Sequence, residues 1–125
     1  MMNLAAVHDV SSRLPRSYSP LTALRYRPNI LFTGPRAFTE DDWTRIRVKD
    51  LGLYIACRTT RCKLPNVDPL TGTADRNEPG TTMRKYRIVD KESKSACLGI
   101  QAVPLDDGVL HVGDEIAVLE TDQRD

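Results

Sequence analysis

The chain has little of several features that mark large classes of protein. Its 125 residues include one Trp, two Phe and four Tyr, too few rings for a platform on which single-stranded nucleic acid stacks. Its formal net charge is +1, which argues against a general binder of polyanions, so no nucleic-acid partner is expected. No apolar run reaches the ~18 residues that cross a bilayer, and the longest, residues 51–57, has the length of a strand.

Cysteine is scarce as well, and three is an odd count that does not suit a framework of disulfides. The default interpretation is a reducing, intracellular compartment, in which one thiol can be kept for its chemistry. The first 12 residues lack a basic stretch followed by an uninterrupted apolar one, so they do not resemble a targeting signal.

Length and composition indicate one ordinary folded domain, with 40% hydrophobic and 28% charged residues. Apolar spacing predicts a helix over residues 3–13 and a strand over residues 30–33. A turn at residues 50–52 separates two extended segments, and a long loop follows over residues 57–82. The C-terminal third is rich in strand-forming runs, with a hairpin predicted at residues 106–108. The fold class predicted from these patterns is a β-rich domain with two or three short helices.

Two further short helices are predicted from capping signals. Thr39 precedes the acidic residues 40–42, which favour the exposed N–H groups of a first helical turn, and Trp43 and Ile46 would face the core. A solvated helical turn explains these acids better than a catalytic acid pair does. The other short helix is predicted over residues 82–88, after a threonine cap.

The neutral total conceals an uneven distribution of charge. Residues 1–62 carry a net +5 and residues 63–125 a net −4, and the positive half is mostly arginine. Guanidinium groups bind phosphate and carboxylate through paired hydrogen bonds, although a solvated face is the alternative for any single arginine. Arg27 precedes Pro28, which favours extended backbone at Arg27.

Cys62 is the main candidate for chemistry. Arg58, Arg61 and Lys63 flank it, and cations favour the thiolate, which is the form of cysteine that binds metal or attacks. The alternative is an inert, buried cysteine, but three flanking cations are costly to bury. Cys57, at the end of an apolar run, fits the inert interpretation better.

A zinc site is the competing metal hypothesis, and its spacing is poor. Cys57 and Cys62 are separated by four residues, and Cys97, His8 and His111 lie far off in sequence. The two-residue spacing of a zinc knuckle is missing. The phosphate-binding glycine loops and the HExxH metalloprotease motif are also missing from the sequence.

Four ordered blocks resemble the MOSC domain family, and within it the amidoxime-reducing component branch. They read RYRPNILFTGPRAFTEDDW, CRTTRCKLPNVDPLTG, DRNEPGTTMRKYR and GVLHVGDEI. The resemblance divides the chain into an N-terminal helix and loop (residues 1–24), the C-terminal part of a MOSC domain (25–119) and a polar tail (120–125). Because little sequence precedes the first block, we expect a fragment, a truncated gene product or a reduced paralogue, incomplete as an enzyme by itself.

The resemblance implies a β-barrel-like fold that binds a pterin-based molybdenum cofactor. It implies that Cys62 is the catalytic residue and the thiolate ligand of molybdenum, and that Thr60 and Arg61 line the cofactor. Arg27 and Asn29 would contact its pterin or phosphate end. The loop of residues 67–72 would instead shape a turn, through Asp68 and Thr71.

The implied activity is an oxidoreductase that reduces small N-hydroxylated substrates, with electrons from a haem protein and, by family resemblance, a mitochondrial location. The resemblance also brings pyridoxal phosphate binding as a label of the family as a whole, with no residue of this chain assigned to it. Two alternatives stay open: a sulfur carrier or cofactor-binding module in which Cys62 holds a persulfide, and an inactive remnant.

Overall fold

The computed structural model describes residues 1–122, so residues 123–125 of the predicted polar tail lie outside the described part. Within these described residues, six strands and two α-helices follow one another: β1 (Met2–Asn3), α1 (Leu4–Ser12), β2 (Leu31–Phe32), β3 (Trp43–Val48), β4 (Leu51–Thr60), α2 (Gly80–Arg84), β5 (Cys97–Pro104) and β6 (Ile116–Thr121). Short 3₁₀ segments lie at Ala23–Tyr26, Thr39–Asp42 and Leu64–Asn66. The predicted mainly-β class is confirmed, and β6 extends into the segment predicted as a tail.

The main sheet has four antiparallel strands in the order β5-β4-β3-β6, and β1 and β2 form a separate parallel pair. Over the described residues, neither sheet closes into a barrel, because β5 and β6 lie at opposite edges. The hairpin predicted at residues 106–108 is therefore wrong. The turn residues are present, but β6 crosses to pair with β3, and residues 108–112 form no strand.

The N-terminal helix is confirmed at Leu4–Ser12. Asn3 caps it, since its Oδ1 accepts a hydrogen bond of 3.0 Å from the backbone N–H of Ala5. The helix buries Val7 and Val10 in a core shared with Met83. This core fixes the start of the chain against α2 and the beginning of β5.

The helix predicted at residues 39–46 is wrong. Only a 3₁₀ turn forms at Thr39–Asp42, and Trp43 already begins β3. Strand pairing with β4 and β6 on both sides overrides the local helix signal. Trp43 and Ile46 are nevertheless buried, as expected, and the Trp43 ring stacks on Phe32 at a centroid distance of 5.3 Å.

The predicted turn between β3 and β4 forms slightly earlier than expected, at residues 49–50, since Leu51 and Gly52 already pair with Val48 and Arg47. The long loop also forms but is shorter than predicted, because residues 57–60 belong to β4. The helix that follows it is confirmed with shifted bounds, since α2 begins at Gly80, one or two residues before the predicted threonine cap, and ends at Arg84 instead of residue 88. Within residues 1–122, no helix has the length and apolar character required to cross a membrane.

Candidate functional site

An open cleft of about 560 Å³ lies beside the end of β4 and contains three of the predicted site residues, Arg27, Asn29 and Arg61. One wall comes from residues 26–30 and the other from β4, β5 and residues 106–110. The tertiary fold therefore brings together two sequence blocks that lie about thirty residues apart.

Arg61 is the best anchored residue of the cleft. Its Nε donates to the carbonyl oxygen of Leu98 and its Nη1 to that of Tyr26, both at 2.9 Å, and the guanidinium lies 5.4 Å from the centre of the Tyr26 ring. Among residues 1–122, no carboxylate forms an ion pair with it. Burial lowers the pKa of Arg61 from its ordinary value. A cation held by carbonyl dipoles alone keeps its net charge for a ligand.

Gly99 makes room for this arginine. A Cβ at Gly99 would lie 3.1 Å from Nη2 of Arg61 and 2.8 Å from the carbonyl oxygen of Met1, and the φ of Gly99 is +91°. The close approach and the positive φ both require glycine at this position.

Arg27 and Asn29 are exposed on the opposite wall of the cleft. The extended backbone expected for Arg27 is wrong, because its φ of 53° and ψ of 50° are left-handed. Arg27 ends the 3₁₀ segment, where its N–H donates to the carbonyl of Leu24 at 3.2 Å, so the turn overrides the preference imposed by Pro28. Such a conformation costs about 1–3 kcal/mol and is concentrated at functional sites.

Cys62 is exposed and does not line this cleft. It lines a smaller adjoining pocket of about 130 Å³, and Arg61 is the residue that both cavities share. The backbone N–H of Leu64 lies 3.4 Å from Cys62 Sγ and donates to it. The thiol is thus accessible, and it lines the neighbouring pocket instead of the cleft that contains Arg27 and Asn29.

The other two cysteines differ from expectation. Cys57 is exposed, so the buried state expected for it is wrong, because its side chain points away from the core of β4. Cys97 is the buried cysteine, with Sγ 3.4 Å from Oδ2 of Asp90, and burial raises its pKa to about 11. That value keeps Cys97 a thiol at neutral pH.

Thr60 is exposed and lines neither cavity, whereas its neighbour Thr59 lines the cleft. Adjacent side chains of a strand point to opposite faces, so Thr59 and Thr60 cannot both face the cleft. The family resemblance of the sequence blocks does not show which of the two threonines does. In the following loop, Asp68 Oδ1 accepts from Leu70 N at 2.8 Å and Thr71 Oγ1 from Thr73 N at 3.2 Å. These bonds confirm the turn-shaping expectation for that loop.

An ionic cluster around the two buried arginines Arg58 and Arg87, named here the buried ionic cluster, lies nearby and was missed by sequence reasoning. Its carboxylates range from nearly buried at Asp41 to half exposed at Asp42. Its five members are Asp41, Asp42, Arg58, Arg87 and Asp90. Arg87 Nη2 lies 2.8 Å from Asp41 Oδ2, and Arg58 pairs with Asp90 and, at 3.6 Å, with Asp42. Asp41 is therefore not the solvated residue that the helix prediction implied. Local pattern gave no signal for the cluster, because its members come from three separate segments, namely residues 41–42, β4 and residues 87–90.

The donor set bears on what metal chemistry is possible. Among residues 1–122, no three His, Cys, Asp or Glu side chains gather around a common point that could hold a metal ion. A metal here would need most of its ligands from an organic group, with the protein supplying few. One accessible thiol fits a soft metal carried by an organic cofactor, and the adjoining cleft offers Arg27 and Arg61 to its anionic groups and Asp106 and Asp107 to its N–H groups.

These features define the class of the protein. The MOSC domain family matches residues 1–117, and the chain belongs to that family. Among the curated proteins it is 38% identical over 117 residues to mitochondrial amidoxime-reducing component 1 of Danio rerio, a match that covers 93% of this chain and 35% of that protein.

Two human proteins show the same relationship. Mitochondrial amidoxime-reducing component 1 is 32% identical over 124 residues, covering 95% of this chain and 36% of the relative. Mitochondrial amidoxime reducing component 2 is 31% identical over 121 residues, covering 93% and 35%. The chain thus spans about a third of the length of the curated relatives that it matches.

Proposed function

We propose that this chain is the molybdenum-cofactor-binding part of an oxidoreductase that reduces N-hydroxylated substrates. The observation that carries the proposal is the exposed Cys62 thiol directly beside Arg61, whose guanidinium also lines the large cleft. Relatives named as amidoxime-reducing components support the substrate class, since an amidoxime is an N-hydroxylated group.

The residues present suit such a cofactor. Cys62 would supply the thiolate that soft, redox-active metals prefer, and Arg27 and Arg61 would face its phosphate and sulfur-borne negative charge. Asn29 adds an amide that can both donate and accept. When bound, the molybdenum centre supplies a two-electron reduction that removes the hydroxyl oxygen of the substrate.

The protein's own contribution is orientation and electrostatics. Two hydrogen bonds to backbone carbonyl oxygens hold the guanidinium of Arg61 in position before a ligand binds. Little side-chain entropy is therefore lost on binding. Asp106 and Asp107 also line the cleft. Their carboxylates can accept hydrogen bonds from the N–H groups of a pterin, and the arginines can hold an anionic end.

The proposal extends to a haem protein as electron donor and to a mitochondrial location. Only likeness to relatives named as mitochondrial supports the location. Thr60 stays a proposed cofactor contact through its adjacency to Arg61. Pyridoxal phosphate is not part of the proposal, because neither sequence nor structure assigns a residue to it.

Titration of the chain with isolated molybdenum cofactor tests the assignment. Cys62→Ser should weaken cofactor binding by at least about tenfold through loss of the thiolate ligand, while Cys57→Ser and Cys97→Ser should bind as the native chain does. Equal affinity in all three variants would contradict the role of Cys62. Release of thiocyanate on treatment with cyanide would instead favour the persulfide-carrier alternative.

A further inference from the structure

The small pocket beside Cys62 has a strongly one-sided charge. Among residues 1–122, four cationic residues line it, namely Arg61, Lys63, Arg84 and Lys94, and no Asp or Glu of that range does. They come from the loop after β4, from α2 and from the segment before β5, so only the tertiary fold gathers them. Among residues 1–122, none of the four forms an ion pair with a carboxylate.

A buried amide faces the same pocket. Asn66 is only 7% exposed and lines it, and its Oδ1 accepts a hydrogen bond of 3.0 Å from the backbone N–H of Gly80. Its Nδ2 has no hydrogen-bond partner within the described residues 1–122. Over residues 1–122, the buried side-chain atoms without a partner are Glu40 Oε1 and Asp41 Oδ1, so Asn66 Nδ2 reaches the solvent of the pocket. It is a donor that an acceptor on a ligand can use.

The space for that acceptor exists because residue 80 is glycine. A Cβ at Gly80 would lie 3.1 Å from Nη1 of Arg84 and 3.2 Å from Oδ1 of Asn66. Nδ2 of Asn66 lies 3.5 Å from the same Cβ position, while Oδ1 is turned to the N–H of Gly80. Arg84 and Nδ2 of Asn66 are therefore two donors on one side of the pocket, and such donors favour a group that accepts hydrogen bonds and carries negative charge.

We propose that this pocket binds a carboxylate or phosphate group of the substrate that is presented to Cys62. The pocket shares Arg61 with the cleft assigned to the cofactor, but Lys63, Arg84 and Lys94 line the pocket alone, so these three cations are available to a second anionic group. The inference rests on the proposed function only for the identity of the reactive centre at Cys62. It narrows the substrate class to N-hydroxylated compounds with an acidic group.

An NMR titration tests the pocket directly. Inorganic phosphate and, separately, acetate are added to the ¹⁵N-labelled 125-residue chain at constant ionic strength. We expect saturating shifts of the Gly80 backbone amide and the Asn66 side-chain amide. Arg84→Ala and Lys94→Ala should each weaken binding by about fivefold to tenfold, the effect of one charge-assisted contact. Phosphate binding tighter than acetate indicates a phosphate-bearing substrate, and the reverse indicates a carboxylate.

Lys85→Ala is the matched control, since it removes one exposed positive charge from the end of α2 without touching the pocket. Gly80→Ala is the second variant, because the added methyl group would crowd Arg84 Nη1 and Asn66 Oδ1 in the wall of the pocket and should weaken binding with the fold retained. Shifts that do not saturate, or equal weakening by Lys85→Ala, would overturn the pocket. Molybdenum-cofactor affinity, measured separately, shows whether the proposed function fails independently.

Discussion

Two arginines three residues apart in sequence, Arg58 and Arg61, have opposite surroundings. Arg58 belongs to the buried ionic cluster, where Asp42 and Asp90 pair with it. Arg61 is bound by two backbone carbonyls, has no carboxylate within ion-pair distance among residues 1–122, and lies where the cleft and the basic pocket meet.

This difference separates a structural arginine from one available to a ligand. A carboxylate neutralises a guanidinium, so a buried pair presents little net charge and mainly specifies how segments pack. Carbonyl oxygens orient a guanidinium and leave its positive charge in place. The absence of an acidic partner is therefore the more informative feature when arginines are assigned to anion binding.

The largest expected effect lies in the buried ionic cluster. Arg87→Ala leaves Asp41 buried without its cation and removes the bond of 3.0 Å from Nε to the carbonyl of Cys97. The free energy of unfolding should fall by about 3–5 kcal/mol, measured by urea denaturation. Lys85→Ala, an exposed cation nearby, is the control. A loss of stability under ~1 kcal/mol for Arg87→Ala would contradict the structural role assigned to the arginines that pair with carboxylates.

The reactivity of the thiols should also differ between the buried ionic cluster and the surroundings of Arg61. Cys97 sits beside Asp90 in the cluster, and a pKa of about 11 against an ordinary value of 9.0 leaves about 100-fold less thiolate at neutral pH. Alkylation by iodoacetamide, followed by peptide mass spectrometry, should modify the exposed Cys62 and Cys57 well before Cys97. The folded pKa of Cys97 is raised, so ionisation at alkaline pH favours the unfolded chain and stability should fall as pH rises towards 11. Comparable rates at all three thiols would show that the cluster opens to solvent.

An intermediate effect is expected at the cleft. Arg61→Ala removes two hydrogen bonds to carbonyl groups, so stability should fall by about 1–3 kcal/mol, less than for Arg87→Ala. Cofactor affinity should show the reverse order. It should fall at least about tenfold in Arg61→Ala and stay unchanged in the folded fraction of Arg87→Ala, as measured by cofactor titration. Equal cofactor affinities of Arg61→Ala and Arg87→Ala would contradict the distinction between an arginine available to a ligand and a structural arginine.

The smallest effect should come from an exposed ion pair on the sheet. Arg45 Nη1 lies 3.6 Å from Glu120 Oε1 across β3 and β6, and both side chains are about half exposed. Arg45→Ala should change stability by about 0.2–1 kcal/mol in urea denaturation, because water and salt screen such pairs. A loss as large as that of Arg87→Ala would mean that burial does not distinguish the ion pairs of this protein.

The sequence predicts elements well where the signal is local. The apolar stripe of α1 and the turn between β3 and β4 are governed by residues a few positions apart, and both form. The acidic turn at residues 39–42 also gives a local signal, but pairing of Trp43–Val48 with strands on both sides outweighs it. The hairpin at residues 106–108 fails for the same reason, since partner choice between strands is a long-range property.

By itself, the sequence determined the mainly-β class and the family, and it proposed the candidate site residues Arg27, Asn29, Thr60, Arg61 and Cys62, because ordered motifs and flanking charge can be read directly from the order of the residues. Only the tertiary structure decided which cations are neutralised and which stay available. Arg58 and Arg61 look alike in sequence, and their difference lies in carboxylates and carbonyls from distant segments. The electrostatic role of a charged side chain depends on which groups the fold places within hydrogen-bond distance of it. Those groups come from segments far apart in the chain, so the spacing of residues in the sequence does not reveal them.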